Sequence, residues 1–455
     1  MDYTKIPIFG FIISWMGDND MDYGPFVATL SFLLFVTGLF IFGVRGGQIL
    51  SIVIALAPIW LPLALFFIFY EKWMDMIGTK FFIGQGRSTL RIHIPQEIFK
   101  SPEAMEFVLA QIHNTANPDN LMQTYIDGKR PIPFTLEIVS IGGDVRLYVN
   151  TPRKKTRDAF EANMYAQYPG IEIVEEPVDY AAEIPLDTKE HDMMSFHMGK
   201  KGDSEFPIKT YIDYGLDKLP KEEEKVDPMT PMLEVLANIK PYERLYIQIF
   251  CIAHRKASFK NGQLVGGESW EKGVARKIDE ILQRDGKTKG ALQTDDEEGF
   301  DIVPRITPGE KDTIQAMERN AGKYAYETAI RWFYITKKGH FNGDLINPVI
   351  RSFSQYDLIG RNSIGVRWRT DFNYKNLFPG GKQAQLLGLK RQELKEYKLR
   401  QYFPKGGGDG YKIFTVEELA TMFHLPGRVA LTPGLSRIPS TRSEAPPNLP
   451  TGIVQ

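Results

Sequence analysis

Cysteine is nearly absent: Cys251 is the only one in 455 residues. One thiol excludes an intrachain disulfide and a four-cysteine zinc site, and fits a reducing compartment. It sits within Ile247-Gln-Ile-Phe-Cys-Ile-Ala253, an apolar run that predicts a packed strand residue, not a nucleophile. Charge of one sign is also lacking. With 55 basic and 56 acidic residues the formal net charge is -1, which excludes a generally basic nucleic-acid binder but not a local basic patch. No His-Glu-x-x-His is present, and the seven histidines are scattered. His191 and His197 with Glu190 and Asp192 offer metal-ligand chemistry, but a polar loop is the favoured reading of them. A phosphate-binding loop needs Gly-Lys followed by Ser or Thr. Gly381-Lys382 is followed by Gln383, so that loop is missing. Gly84-Gln-Gly-Arg-Ser88 precedes a strand instead of following one, which excludes a dinucleotide fingerprint. Without a nucleophile elbow, no Ser-His-Asp set is readable. Catalytic, cofactor and metal residues are therefore expected to be none.

Long apolar runs are what the sequence does have. Between Tyr23 and Tyr70 the only charge is Arg45. Residues 25–44 form an uncharged run of 20 residues, enough to cross a hydrocarbon core of roughly 30 Å. Residues 48–70 follow, with Pro58 and Pro62 expected to interrupt and kink them. Together they predict a two-helix transmembrane hairpin, or one dipping into a single leaflet. Lys72, Lys80, Arg87 and Arg91 beyond it place both termini in the cytoplasm by the positive-inside tendency.

The remainder predicts an α+β fold of two ferredoxin-like (βαββαβ) units and a Pro-rich C-terminal tail. Segments are expected at 1–24 (cytoplasmic or interfacial), 25–70 (hairpin), 82–185 (first unit), 200–375 (second unit) and 386–455 (basic helix, capped helix, tail). In the first unit, alternating Leu90-Arg-Ile-His-Ile-Pro95 is a strand, Ser101-Pro-Glu starts a helix, and Gly142-Gly-Asp turns a hairpin. In the second, the first strand is expected at 206–212 and a solvated stretch at 284–299. Thr415-Val-Glu-Glu caps a helix, with Glu418 in the capping-box position. From Pro433 onward the chain predicts an extended connector without a core. Lys390, Arg391, Lys395, Lys398 and Arg400 form a basic amphipathic stretch. It suits contact with anionic lipid or nucleic acid, or is an ordinary solvated helix.

Several segments carry a resemblance: Asn163-Met-Tyr-Ala-Gln-Tyr-Pro-Gly-Ile-Glu-Ile-Val174, Asp227-Pro-Met-Thr-Pro-Met-Leu-Glu234, Tyr246-Ile-Gln-Ile249 and Thr307-Pro-Gly-Glu-Lys311. Thr415-Val-Glu-Glu-Leu-Ala-Thr-Met-Phe-His-Leu-Pro-Gly427 and Glu444-Ala-Pro-Pro-Asn-Leu-Pro450 continue the series. In order and spacing this set resembles the membrane-anchored N-terminal region of HerA/FtsK-class type IV secretion (conjugation-like DNA transfer) ATPases of reduced-genome bacteria. The resemblance implies the anchor and assembly half of such a protein, with the motor as a separate polypeptide. It implies a non-enzymatic scaffold at the bacterial inner membrane, soluble parts facing the cytoplasm. Its expected partners are the lipid bilayer, a HerA/FtsK-type ATPase and further copies of itself, with nucleic acid an open possibility. The rival expectation is a membrane-bound, hydrolase-like enzyme whose site is dispersed in sequence.

Overall fold

The computed structural model describes residue 37 and residues 46–438, except 96–99, 117, 154–155, 185–189, 219–225, 256, 261–262, 267–268, 283–306, 371–380, 406–408, 428–433 and 436. The first element whose bounds are described is a 40-residue helix, α1 (Gly46–Gln85). β1 (Arg87–Pro95), α2 (Glu103–Gln111), the short α3 (Leu121–Tyr125), the hairpin β2 (Phe134–Ile141) and β3 (Asp144–Pro152), α4 (Thr156–Gln167) and β4 (Glu172–Glu175) follow. Next come β5 (His191–Lys200), α5 (Thr230–Ala237), β6 (Glu243–Ala253), the small ribbon β7 (Ala257–Lys260) and β8 (Gln263–Gly266), α6 (Trp270–Ile281) and α7 (Pro308–Ala321). The chain continues through β9 (Ala325–Lys337), α8 (Ile346–Ser352), β10 (Ile364–Arg369), α9 (Gly381–Lys398), β11 (Lys412–Thr415), α10 (Val416–Met422) and β12 (Arg437–Ile438).

Ten strands form one sheet, in the order β10-β5-β9-β6-β2-β3-β1-β12, with β11 added on β9 and β4 on β1. All pairings are antiparallel except the two-residue β1–β12 contact. This corrects the expectation of two ferredoxin-like units. The strands before and after residue 190 are not two sheets: β2 and β6 pair from Phe134↔Cys251 to Ile141↔Arg244. Pairing there satisfies two edges that separate units would leave open. One apolar cluster spans the join, with Leu136 and Val108 from the first part and Ile247, Trp332 and Phe353 from the second. Trp332 stacks on Phe196 at 4.1 Å between ring centroids.

The first strand of the second part is also corrected. It is β5, not 206–212, which lies outside any strand, and residues 191–197 are not a polar loop. Met194, Phe196 and Met198 face the apolar core while Ser195 and His197 are buried on the opposite face. α10 plugs the apolar face. Every residue of this helix is buried, and its Thr415–Glu418 capping box forms as the sequence predicts. Of the expected connector from Pro433 onward, only residues 434, 435, 437 and 438 are described, and these are not core-less, since Leu435 is buried in the main cluster and β12 pairs β1.

The transmembrane expectation is overturned. Among the described residues no helix is long and apolar enough to cross a membrane. Most of the first expected span, 25–44, lies outside the described residues. The second is not a kinked span ending at Tyr70, because α1 runs on through Pro58 and Pro62 to Gln85. Its last turns, bearing Lys72, Asp75 and Lys80, belong to the folded body. Met74 and Ile77 are buried, Trp73 Nε1 donates to the Tyr125 carbonyl at 2.8 Å, and Arg130 donates to the Met74 carbonyl at 2.9 Å. The hairpin, the inner-membrane localisation and the cytoplasm-facing arrangement are therefore withdrawn.

Candidate functional site

Strand register sets one row of polar side chains across the middle of the sheet, on the face away from the apolar cluster. Glu137 of β2 lies opposite Gln248 of β6, Gln248 opposite Arg331 of β9, and Arg331 opposite His197 of β5. All four are fully buried. Buried polar groups must find partners or cost several kcal/mol each, on the order of the desolvation penalty, and here the partners come from above. α9 and the chain after it lay Glu393, Glu396, Tyr397, Arg400, Lys405 and Asp409 over the row.

Two clusters result. At one, Glu137 accepts from Gln248 at 2.7 Å, from Thr135 at 2.8 Å, from Tyr180 at 2.7 Å and from Arg400 Nε at 3.1 Å. Burial alone would raise the Glu137 pKa, but the Arg400 guanidinium holds it below the ordinary range. At the other, His197 Nδ1 is 2.8 Å from Asp409 Oδ2 and Nε2 is 3.0 Å from Glu393 Oε2. A ring with a carboxylate on each nitrogen must donate from both, so it is an imidazolium. Burial would push its pKa down, yet Asp409 and Glu393 raise it above the usual value. Burial likewise opposes ionisation of Glu393, but His197, with Arg331 and Lys405, holds it down at about 2. Gln248 Oε1 links the clusters by accepting from Arg331 Nη2 at 2.8 Å.

This geometry does not suit nucleophilic catalysis. Ser195 Oγ donates to Glu393 at 3.2 Å, not to His197. His197 has no ring lone pair left to take a proton, and both side chains are fully buried. Among the described residues no group of three or more His, Cys, Asp or Glu is placed to hold a metal ion. His191 stands at the far end of β5 from His197.

The basic stretch is split by this arrangement. Lys395 and Arg391 are exposed and Lys390 is half-buried. Arg400 is buried against Glu137 and Asp179, while Lys398 turns back to donate to the Ile184 carbonyl. The five do not form one basic surface. Lys398 and Arg400 instead line a cleft of about 630 Å³ together with Arg87, Arg153, Phe82 and Ile83. Sequence reasoning took Arg87 only as a charge flanking the apolar run and did not single out Arg153; the positive φ of Gly86 before Arg87, +66°, marks the turn that carries it.

A family model described as a domain of unknown function, DUF8128, matches residues 85–358. The chain belongs to this family. No curated protein and no solved structure matches it. The DUF8128 region holds the polar row of Glu137, Gln248, Arg331 and His197, but every downstream counter-charge, from Glu393 to Asp409, lies beyond it. It also stops short of β10 and of α10, which fills its apolar face. The physical unit is therefore larger than the DUF8128 match.

Proposed function

We propose that this chain is a non-enzymatic assembly module of a type IV secretion-like or DNA-translocation machine, holding a separate HerA-type motor in position. The observation that carries the reading is how the buried acids and bases are used: they pair with one another and hold segments together. The landmark segments behind the resemblance serve the same end. His424 Nε2 is 3.2 Å from Asp227 Oδ1, and the His424 amide contacts Met229 Sδ at 3.3 Å, so the segments 227–234 and 415–427 are tied to each other. Glu417 holds Arg319 at 2.9 Å and Lys323 at 2.8 Å, and Glu418 holds buried Lys200 at 2.7 Å. Such interlocking favours a rigid platform that offers surfaces to partners. Self-association into a ring belongs to the same reading.

The test is reconstitution of the full chain with a HerA-type ATPase from the same genome, followed by size-exclusion chromatography with light scattering. A stable complex is expected, with no nucleotide hydrolysis by the chain alone. Hydrolysis by the purified chain at turnover typical of enzymes, on the order of 1 per second or more, would defeat the reading. Failure to co-elute would defeat the motor-positioning part.

A further inference from the structure

The cleft beside α9 carries cationic charge that no contact ion pair among the described residues takes up. Its three lining carboxylates are already held: Glu175 by Arg153 at 2.8 Å and Arg157 at 2.6 Å, Glu176 by Arg91 at 3.6 Å, and Asp179 by Arg400 at 3.0 Å. Two lining cations have no carboxylate within ion-pair distance among the described residues, although Glu137 acts on Arg87 and Asp179 on Lys398 from further away. Arg87 donates to the Pro133 carbonyl at 3.0 Å, the Asn150 carbonyl at 3.3 Å and the Asn150 side-chain oxygen, all of them neutral. Lys398 donates to the Ile184 carbonyl, also neutral. Arg87 has five N–H groups and spends three. Its pKa is lowered to about 9 by burial, with the Arg400 charge adding to the effect and the Glu137 charge offsetting only part of it. The walls are apolar: Phe82 lies 5.1 Å from the Arg87 guanidinium, and Ile83 and Leu399 are 70% and 47% exposed.

We propose that this cleft binds a phosphomonoester with an apolar or planar body, the phosphate between Arg87 and Lys398 and the body against Phe82, Ile83 and Leu399. Two cations without a contact ion pair match a group that carries close to two negative charges at neutral pH. The volume lies within the range of small-molecule sites, roughly 300–1,000 Å³. The inference is independent of the assembly role proposed above.

Calorimetric titration of the full chain with phenyl phosphate tests it, with inorganic phosphate and phenol as comparators. Phenyl phosphate is expected to saturate, inorganic phosphate to bind more weakly, and phenol not to bind. Lys398→Gln removes one charge-assisted contact and is expected to weaken phenyl phosphate about ten-fold or more. Lys395→Gln, on the same helix but outside the cleft, leaves binding unchanged. Arg87→Gln is expected to abolish binding; should it not fold, because Arg87 also joins Pro133 to Asn150, the Lys398→Gln result decides alone. Absence of saturation by phenyl phosphate, no weakening in Lys398→Gln, or equal weakening in Lys395→Gln would each overturn the proposal.

Discussion

Replacing Glu393 with Gln keeps the shape of the side chain and removes a charge that four groups share. In the native protein Glu393 Oε2 accepts from Ser195 and His197 and lies 3.6 Å from Arg331 Nη1, while Oε1 is 3.0 Å from Lys405. The variant leaves Arg331 its neutral acceptors, Gln248 and the Gln401 carbonyl, and among the described residues one carboxylate, Glu396, at 3.7 Å and beyond hydrogen-bond reach. His197 keeps a single carboxylate, Asp409. Removing one partner of a buried ion pair costs about 3–5 kcal/mol, because the opposite charge stays desolvated. The remaining carboxylates, Glu396 on Lys405 at 2.7 Å and Asp409 on His197 at 2.8 Å, offset part of that, so a loss of about 3 kcal/mol is expected. Urea unfolding measures it as a fall in midpoint at unchanged slope. The double variant with His197→Asn should lose less than the sum of the two single losses, since the shared contact is counted once. A loss under about 1 kcal/mol, with additive single effects, would refute the view that this cluster holds α9 to the sheet.

Other perturbations probe the same architecture. Because the folded pKa of His197 is raised, its stabilisation is complete below the unfolded value near 6.5 and is lost as pH rises through the folded value. Glu393 behaves oppositely: its contribution is present above the ordinary 4.5 and is lost as pH falls toward about 2. Denaturation midpoints recorded across pH should show both flanks, and the alkaline one should vanish in His197→Asn. Arg400→Met should cost about 3–5 kcal/mol by stranding Glu137, whereas Lys395→Gln should stay within about 0.5 kcal/mol. Equal effects in the two variants by thermal denaturation would contradict the burial of Arg400. At Gly143, φ is +92° and an added Cβ would meet the Ala237 carbonyl oxygen at 2.7 Å, so Gly143→Ala should destabilise by about 1–3 kcal/mol or more. A fragment ending at residue 358 should be molten by near-ultraviolet circular dichroism, since it lacks the counter-charges and the α10 plug. A sharp native spectrum from it would show that the DUF8128 region folds alone.

Much of the element order was legible because local rules govern it. The Gly142-Gly143 hairpin, Ser101 Oγ accepting from the Glu103 amide at 3.1 Å, and the capping boxes of α7 and α10 depend on residues a few positions apart. Two readings failed for one shared reason. The alternation in Met193-Met-Ser-Phe-His-Met198 was present, but its polar members suggested a loop because polar usually means exposed. The basic stretch from Lys390 to Arg400 likewise looked like one charged surface. In both cases the partners that make burial tolerable lie far away: Glu393 is 196 residues from His197, and Arg400 is 263 from Glu137. No window of sequence displays such pairs.

By itself the sequence determined that the chain alternates helices and strands, where its turns and caps fall, and that it holds neither a disulfide nor a phosphate-binding loop. These follow from residue chemistry acting over a few positions. Only the tertiary structure decided that β2 and β6 fuse the strands into a single sheet, that a row of charges lies buried beneath α9, and that Arg87 and Lys398 face one cleft. Those outcomes depend on which strand edges meet and which charges are desolvated together, and both are properties of the assembled chain.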